Sequence, residues 1–187
     1  MTSLPNVSDE HLIQQFVQGD LLAFDSLYHR HVKAVYNRVR YVVPEMDVED
    51  VTQEIFLAAL CSLPTFRGEA QFTTWLRTLT NHKVAEYYRR RARKKETMQV
   101  DLIQAEERSD QSNTSSLEDQ LALQIILYNL PNHYREVILL RFAEGMPFNE
   151  IANQLKKDLE ATKSLFRRAI SAVREKMEVK DEQTSKR

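Results

Sequence analysis

The segment Phe66-Arg67-Gly68-Glu69-Ala70-Gln71-Phe72-Thr73-Thr74-Trp75 sets three aromatic side chains around a glycine turn, ahead of a cationic run at Arg89, Arg90, Arg91, Arg93, Lys94 and Lys95. Rings beside cations suit single-stranded nucleic acid, because unstacked bases lie on aromatic faces while the backbone follows positive charge. Duplex binding does not need the rings. Phe72 and Trp75 have a second reading, as ordinary core residues. The four arginines point all round a helix, so they are expected to meet water or polyanion and not one buried acid. A second cationic set lies near the C-terminus. On a wheel at about 100° per residue, Leu159, Thr162, Leu165, Phe166, Ala169, Ile170, Val173 and Met177 fall within an arc of about 140°. The complementary arc holds Lys163, Ser164, Arg167, Arg168, Ser171 and Arg174, with the acid Glu160 at the helix start. That face suits phosphates and base edges. Its plainer reading is a solvated basic surface.

Helices must carry these residues. Only 3 Gly and 5 Pro punctuate 187 residues, too few for the tight turns of an all-β fold. Ser8 caps a first helix whose stripe is Leu12, Ile13, Phe16 and Val17, ended by Gly19. Apolar positions from Phe24 to Val39 recur at spacings of three and four until Pro44. Asp47 opens a third helix with Val48, Val51, Ile55 and Leu57–Leu60 on its apolar side and acids on the other. A fourth is expected from Gln71 to Lys95. Residues 96–116 lose the periodicity and are rich in Ser, Asp, Glu, Gln and Asn, the composition of a flexible linker. Periodicity resumes at Leu117 and runs to Gly145. A helix from about Pro147 to Leu155, a turn at Lys156-Lys157-Asp158 and a helix from about Leu159 to Met177 follow, the layout of a helix-turn-helix. The polar last ten residues are expected to fray.

A net charge of −1 hides blocks of opposite sign. Residues 45–54 hold Glu45, Asp47, Glu49, Asp50 and Glu54 with no Lys or Arg, whereas 86–95 hold six cations against Glu86. Such separation implies that different surfaces meet different partners. No apolar run approaches the roughly 20 residues that cross a bilayer, and the acidic first 30 residues do not read as a signal peptide. No membrane insertion and a cytoplasmic location are expected. A single cysteine, Cys61, forms no internal disulfide. The five histidines show no metal-ligand spacing, and neither a phosphate loop nor a nucleophile signature is present, so no cofactor, metal or catalysis is expected.

Four segments in order, "GDLLAFDSLYHRH", "DVEDVTQEIFLAAL", "FRGEAQFTTWLRTLTNHKVAEYYRRR" and "LPNHYREVILLRF" followed by the helix-turn-helix, resemble the bacterial RNA polymerase sigma factors of the extracytoplasmic-function (ECF) group. The resemblance implies an all-α protein of two small helical domains joined by a flexible linker, the C-terminal one a helix-turn-helix. Residues 5–95 correspond to the promoter-melting domain, 96–116 to the linker, 117–178 to the minus-thirty-five domain and 179–187 to a polar tail. It further implies RNA polymerase core as partner through its β and β′ subunits, with Asp50, Gln53 and Glu54 against the β′ clamp coiled coil. Promoter DNA is the second implied partner and an anti-sigma factor the third. The resemblance also implies that Phe66, Gln71 and Phe72 surround a base flipped from the minus-ten strand, with Trp75, Asn81, His82, Arg89 and Arg90 on the same helix, and that Lys163, Ser164, Arg167 and Arg168 meet the minus-thirty-five element. Two departures bear on specificity: His82 stands where the family commonly has Asn, and Lys156 where the turn usually has Gly. A stand-alone helix-turn-helix regulator with a helical sensor or dimerisation domain is the competing reading of the same residues; it binds duplex tightly without polymerase.

Overall fold

The structure is a computed structural model that describes residues 7–99 and 114–184, with side chains described within 7–93, at 119 and within 121–178. Among the described residues the chain is all-α, as expected, and no helix is long and apolar enough to cross a membrane. Two compact units emerge, residues 1–39 with 45–104 and residues 40–44 with 105–187.

The first unit is built from α1 (Asp9–Val17), α2 (Leu21–Arg40), α3 (Glu45–Ser62), a 3-10 turn (Leu63–Thr65) and α4 (Phe72–Gln99). Ser8 caps α1 as expected: its hydroxyl accepts from the His11 N–H at 3.3 Å, and Asp9 and Glu10 favour the positive helix end. Asp20 does the same for α2, accepting from the Leu22 N–H. The apolar stripes converge on a core that includes Leu12, Leu27, Val39, Val51, Ile55, Leu63, Phe72 and Leu76. Within it α3 packs on α4, and the 3-10 turn wedges against α1 and α3. Three expectations need correction. The helix α3 begins at Glu45, directly after Pro44, so Asp47 lies within its first turn and does not open it. Leu57 belongs to the solvent side of α3, 61 % exposed, and not to its apolar side. Also, α4 runs on to Gln99, so the first part of the expected linker is helical.

The second unit carries α5 (Thr114–Tyr128), α6 (Asn132–Phe142), α7 (Phe148–Leu155) and α8 (Leu159–Thr184), with α8 packed on the other three. The last part of the expected linker is therefore the first turn of α5, while residues 100–113 lie outside the described ones. The expected frayed tail is helical through Thr184. Val137, Leu139, Leu140, Ile151, Leu165 and Ala169 form the core, with Phe166 between the rings of Phe142 and Phe148 at 5.8 and 5.2 Å. The ends of the predicted α8 stripe, Leu159 and Met177, stay exposed.

The turn between α7 and α8 places Lys156 in a backbone conformation that favours glycine. Its φ of 52° is left-handed, the conformation that closes a helix C-terminus by directing the next amides back. Lys157 N–H accordingly donates to the Ala152 carbonyl at 2.9 Å and Lys156 N–H to that of Asn153 at 3.2 Å. The turn keeps the glycine geometry with a side chain that strains it. Asp158 then caps α8, its carboxylate accepting from the Ala161 N–H at 2.7 Å. The Thr162 hydroxyl, fully buried, donates to the Asp158 carbonyl. Both ends of the turn are thus tied, which fixes the direction in which α8 leaves it.

Candidate nucleic-acid interface

Each cationic helix was expected to present its charge outward, and α8 does so. Ser164, Arg167, Arg168 and Arg174 are exposed; Lys163 is half-buried and reaches only one turn back, to Glu160 at 2.8 Å. That local pair holds the Glu160 carboxyl below its usual range, through the Lys163 hydrogen bond first. With Thr162, Leu165 and Ala169 buried on the opposite side, the cationic arc is an open ridge of one helix.

In the first unit the three rings form one cluster. Phe72 and Trp75 stack with centroids 5.6 Å apart, and Phe66 meets Trp75 at 5.4 Å and Phe72 at 6.2 Å. Their exposures differ. Phe72 is only 2 % exposed, while Phe66 and Trp75 are half-buried. The ring surface open to solvent is thus that of Phe66 and Trp75, and Phe72 is their support. Gln71 is exposed beside them and lines a cleft of ≈ 430 Å³ with Ser8, Asp9, Glu10, Arg30, Phe72 and Thr73. His82 is exposed further along α4, whereas Asn81 is half-buried and accepts from Arg38 Nη2 at 3.3 Å.

Beneath this cleft lies a polar knot that the sequence reading missed. Asp9 takes Arg30 on one oxygen and the buried His31 Nε2 on the other, at 2.8 Å, and the His31 ring meets the edge of Phe72 at 5.2 Å. Burial lowers the His31 pKa from 6.5; Asp9 opposes the shift, while Arg30 and Arg77 add to it. The two residues stand 22 positions apart on different helices, so no local spacing signals the contact.

The acidic and basic blocks also depart from expectation, because they meet each other. Arg90 Nη2 donates to both oxygens of Glu54, at 3.0 and 2.8 Å. Arg91 Nη1 donates to the Tyr87 hydroxyl at 2.6 Å and lies 3.3 Å from the Asp47 carboxylate, to which Tyr87 itself donates at 2.6 Å. Burial raises the Tyr87 pKa, with the Asp47 hydrogen bond second. Two of the four arginines are therefore paired with acids of α3, while Arg89 is exposed. Gln53 points away from these pairs, and Asp50 stands at the edge of the cleft they line. With Met46 and Leu57, 84 % and 61 % exposed, they share one outward stripe of α3 at spacings of four, three and four residues, about 60° wide. The exposure of Met46 and Leu57 is a feature that the sequence reading missed; apolar residues interrupting an acidic face were the available signal.

A family model described as Sigma-70 region 2 matches residues 27–94, and one described as Sigma-70, region 4 matches residues 126–175. The chain is 30 % identical over 182 residues to the ECF RNA polymerase sigma-E factor of Escherichia coli (strain K12), covering 92 % of this chain and 95 % of that relative. It is 26 % identical over 182 residues to the ECF RNA polymerase sigma-E factor of Haemophilus influenzae, with coverage of 92 % and 96 %. Among solved structures, that of CnrH in complex with the cytosolic domain of CnrY is similar with a TM-score of 0.58 and 25 % identity, covering 92 % of this chain and 99 % of that one.

Proposed function

The chain belongs to the ECF group of RNA polymerase sigma factors, and from that premise we propose how its two units divide promoter recognition. As a transcription initiation factor it directs polymerase core to specific promoters and promotes melting. The observation that carries the reading is that the relation to sigma-E runs through 92 % of the chain and so takes in both the ring cluster and the helix-turn-helix.

In this reading α8 lies in the major groove of the minus-thirty-five element. Arg167, Arg168 and Lys163 meet base edges and phosphates there, and Ser164 is small enough to let the helix approach. The first unit captures the opened minus-ten strand. Extruding a base costs a few kcal/mol, which stacking on Phe66 and Trp75 and edge hydrogen bonds from Gln71 offset. His82, Asn81 and Arg89 extend that path along α4. The outward stripe of α3, with Asp50 and Gln53 between Met46 and Leu57 and Glu54 at its shoulder, docks on the β′ clamp coiled coil: the two carboxylates match a cationic surface, and the apolar pair supplies the buried centre that docking needs. No chemistry is assigned to the chain itself, because polymerase holds the active site. It acts where the polymerase and chromosome are, in the cytoplasm. An anti-sigma factor that covers these faces holds it inactive; the similar CnrH structure is of a complex with the cytosolic domain of CnrY.

Run-off transcription with purified core on a random promoter library tests this. Transcription that requires the chain, from templates sharing one upstream and one downstream element, is expected. Transcription indifferent to the chain contradicts it.

A further inference from the structure

The pairing between α3 and α4 joins two faces that the proposed function gives to different partners. On α3, Met46, Asp50, Gln53 and Leu57 look outward, whereas Asp47 and Glu54 stand at the shoulder, about 80–100° round the helix from Met46, where α4 runs. There they line a cleft of ≈ 410 Å³ with Asp50, Val51, Tyr87, Arg90 and Arg91. Glu54 therefore faces two ways: it adjoins the polymerase stripe and it holds Arg90. Arg90 in turn adjoins Arg89 on the path assigned to the single strand.

We propose that the Glu54–Arg90 and Asp47–Arg91 pairs couple these two faces, so that a cationic protein surface drawing on Glu54 and Asp47 releases Arg90 and Arg91 to the phosphates of a single strand. The inference rests on the roles given above to α3 and α4. In the free chain each acid is partly neutralised by an arginine and each arginine by an acid, so neither face shows its full charge. The side chains of the Arg90–Glu54 pair are 43 % and 38 % exposed, and an ion pair that open to solvent is weak. Weakness is what exchange requires. A partner with several charges displaces such a pair readily, which a deeply buried bridge would resist. By linkage the effect is mutual: whatever loosens the pair from one side strengthens binding at the other by the same factor. A pair that merely staples α3 to α4 predicts a different result, a loss of stability with no gain in nucleic-acid binding.

The test uses the full chain and a fluorescent, mixed-sequence single strand of roughly 12 nucleotides, within the usual site size for such binding, titrated by anisotropy at about 50 and 200 mM salt. Glu54→Gln is expected to raise affinity about two- to five-fold, the range for an exposed pair, and to steepen the salt dependence by up to about 0.7, one phosphate contact on a single strand. Glu49→Gln makes the same charge change at an exposed position of α3 outside the cleft and should give a clearly smaller gain. In an Arg90→Gln background the Glu54→Gln gain should vanish. Reciprocally, Arg90→Gln alone should tighten binding to polymerase core about two- to five-fold by the same linkage. Equal gains from Glu54→Gln and Glu49→Gln, or a gain that survives without Arg90, overturn the coupling while leaving the sigma-factor reading intact. A wild-type chain that binds no core overturns both.

Discussion

The two units place their interface residues differently with respect to their own cores. In the second unit, Arg167, Arg168 and Ser164 project from α8 on the side opposite Thr162, Leu165 and Ala169, so the proposed nucleic-acid face and the packing face of one helix are separate. In the first unit they overlap. Phe72 is both neighbour of the rings proposed to stack on a base and one of the largest buried side chains; Arg90 and Glu54 belong to expected interfaces and also tie α3 to α4. A ridge on one helix can change its contacts without disturbing the fold. A cluster shared between helices cannot, but its geometry and its charge state respond to what binds it.

Mutations test that contrast, beginning with the largest effect. Phe72→Ala should destabilise the first unit by about 3–5 kcal/mol, the usual result of deleting a buried ring, measured by chemical denaturation; a change below about 1 kcal/mol would remove the overlap between site and core. Arg167→Ala and Arg168→Ala should each weaken promoter binding by the holoenzyme by about 1–3 kcal/mol. Their unfolding midpoints should stay within about 0.5 kcal/mol of wild type, as for surface changes generally. Should either arginine prove necessary for stability, the separation in the second unit fails. Lys156→Gly should stabilise that unit by only about 0.5 kcal/mol, because relief of left-handed strain is partly offset by the greater entropy of the unfolded chain. The same titration reads it.

The smallest effect concerns pH and the knot beneath the rings. Burial lowers the His31 pKa below 6.5, so the folded state binds fewer protons than the unfolded one. The contribution is fully present above pH 6.5 and is lost as pH falls from there through the folded value. Denaturation at stepped pH should show stability declining on acidification in that window, and His31→Gln should flatten the decline. A slope unchanged by His31→Gln would mean that other groups carry it.

Much of this architecture was legible because helical periodicity and capping are local. Ser8, Asp158 and the spacing of Leu165 with Ala169 are properties of a few neighbouring residues, and the structure shows the caps and the buried arc at those positions. The boundaries slipped where polar sequence remained helical, at 96–99 and 179–184, since a run of charged residues with good helix propensity gives no stop signal. What could not be read was tertiary charge. Counting charge along the chain showed two blocks of opposite sign and suggested separate partners, although opposite blocks on helices that pack together first meet each other. Asp47 and Glu54, seven apart, and Tyr87 and Arg91, four apart, each lie on one helical side, so matching the two stripes was the available signal. Phe66, Phe72 and Trp75 offered no comparable cue, because three rings around a turn do not announce which one the core takes.

Recognition by these two units is proposed to depend on polymerase. Binding of a labelled promoter duplex, measured with the chain alone, with core alone and with both, addresses it most directly. Weak binding by the chain alone and tight, promoter-specific binding only when both are present is the predicted result; tight binding by the chain alone, with no association between chain and core, would contradict the account.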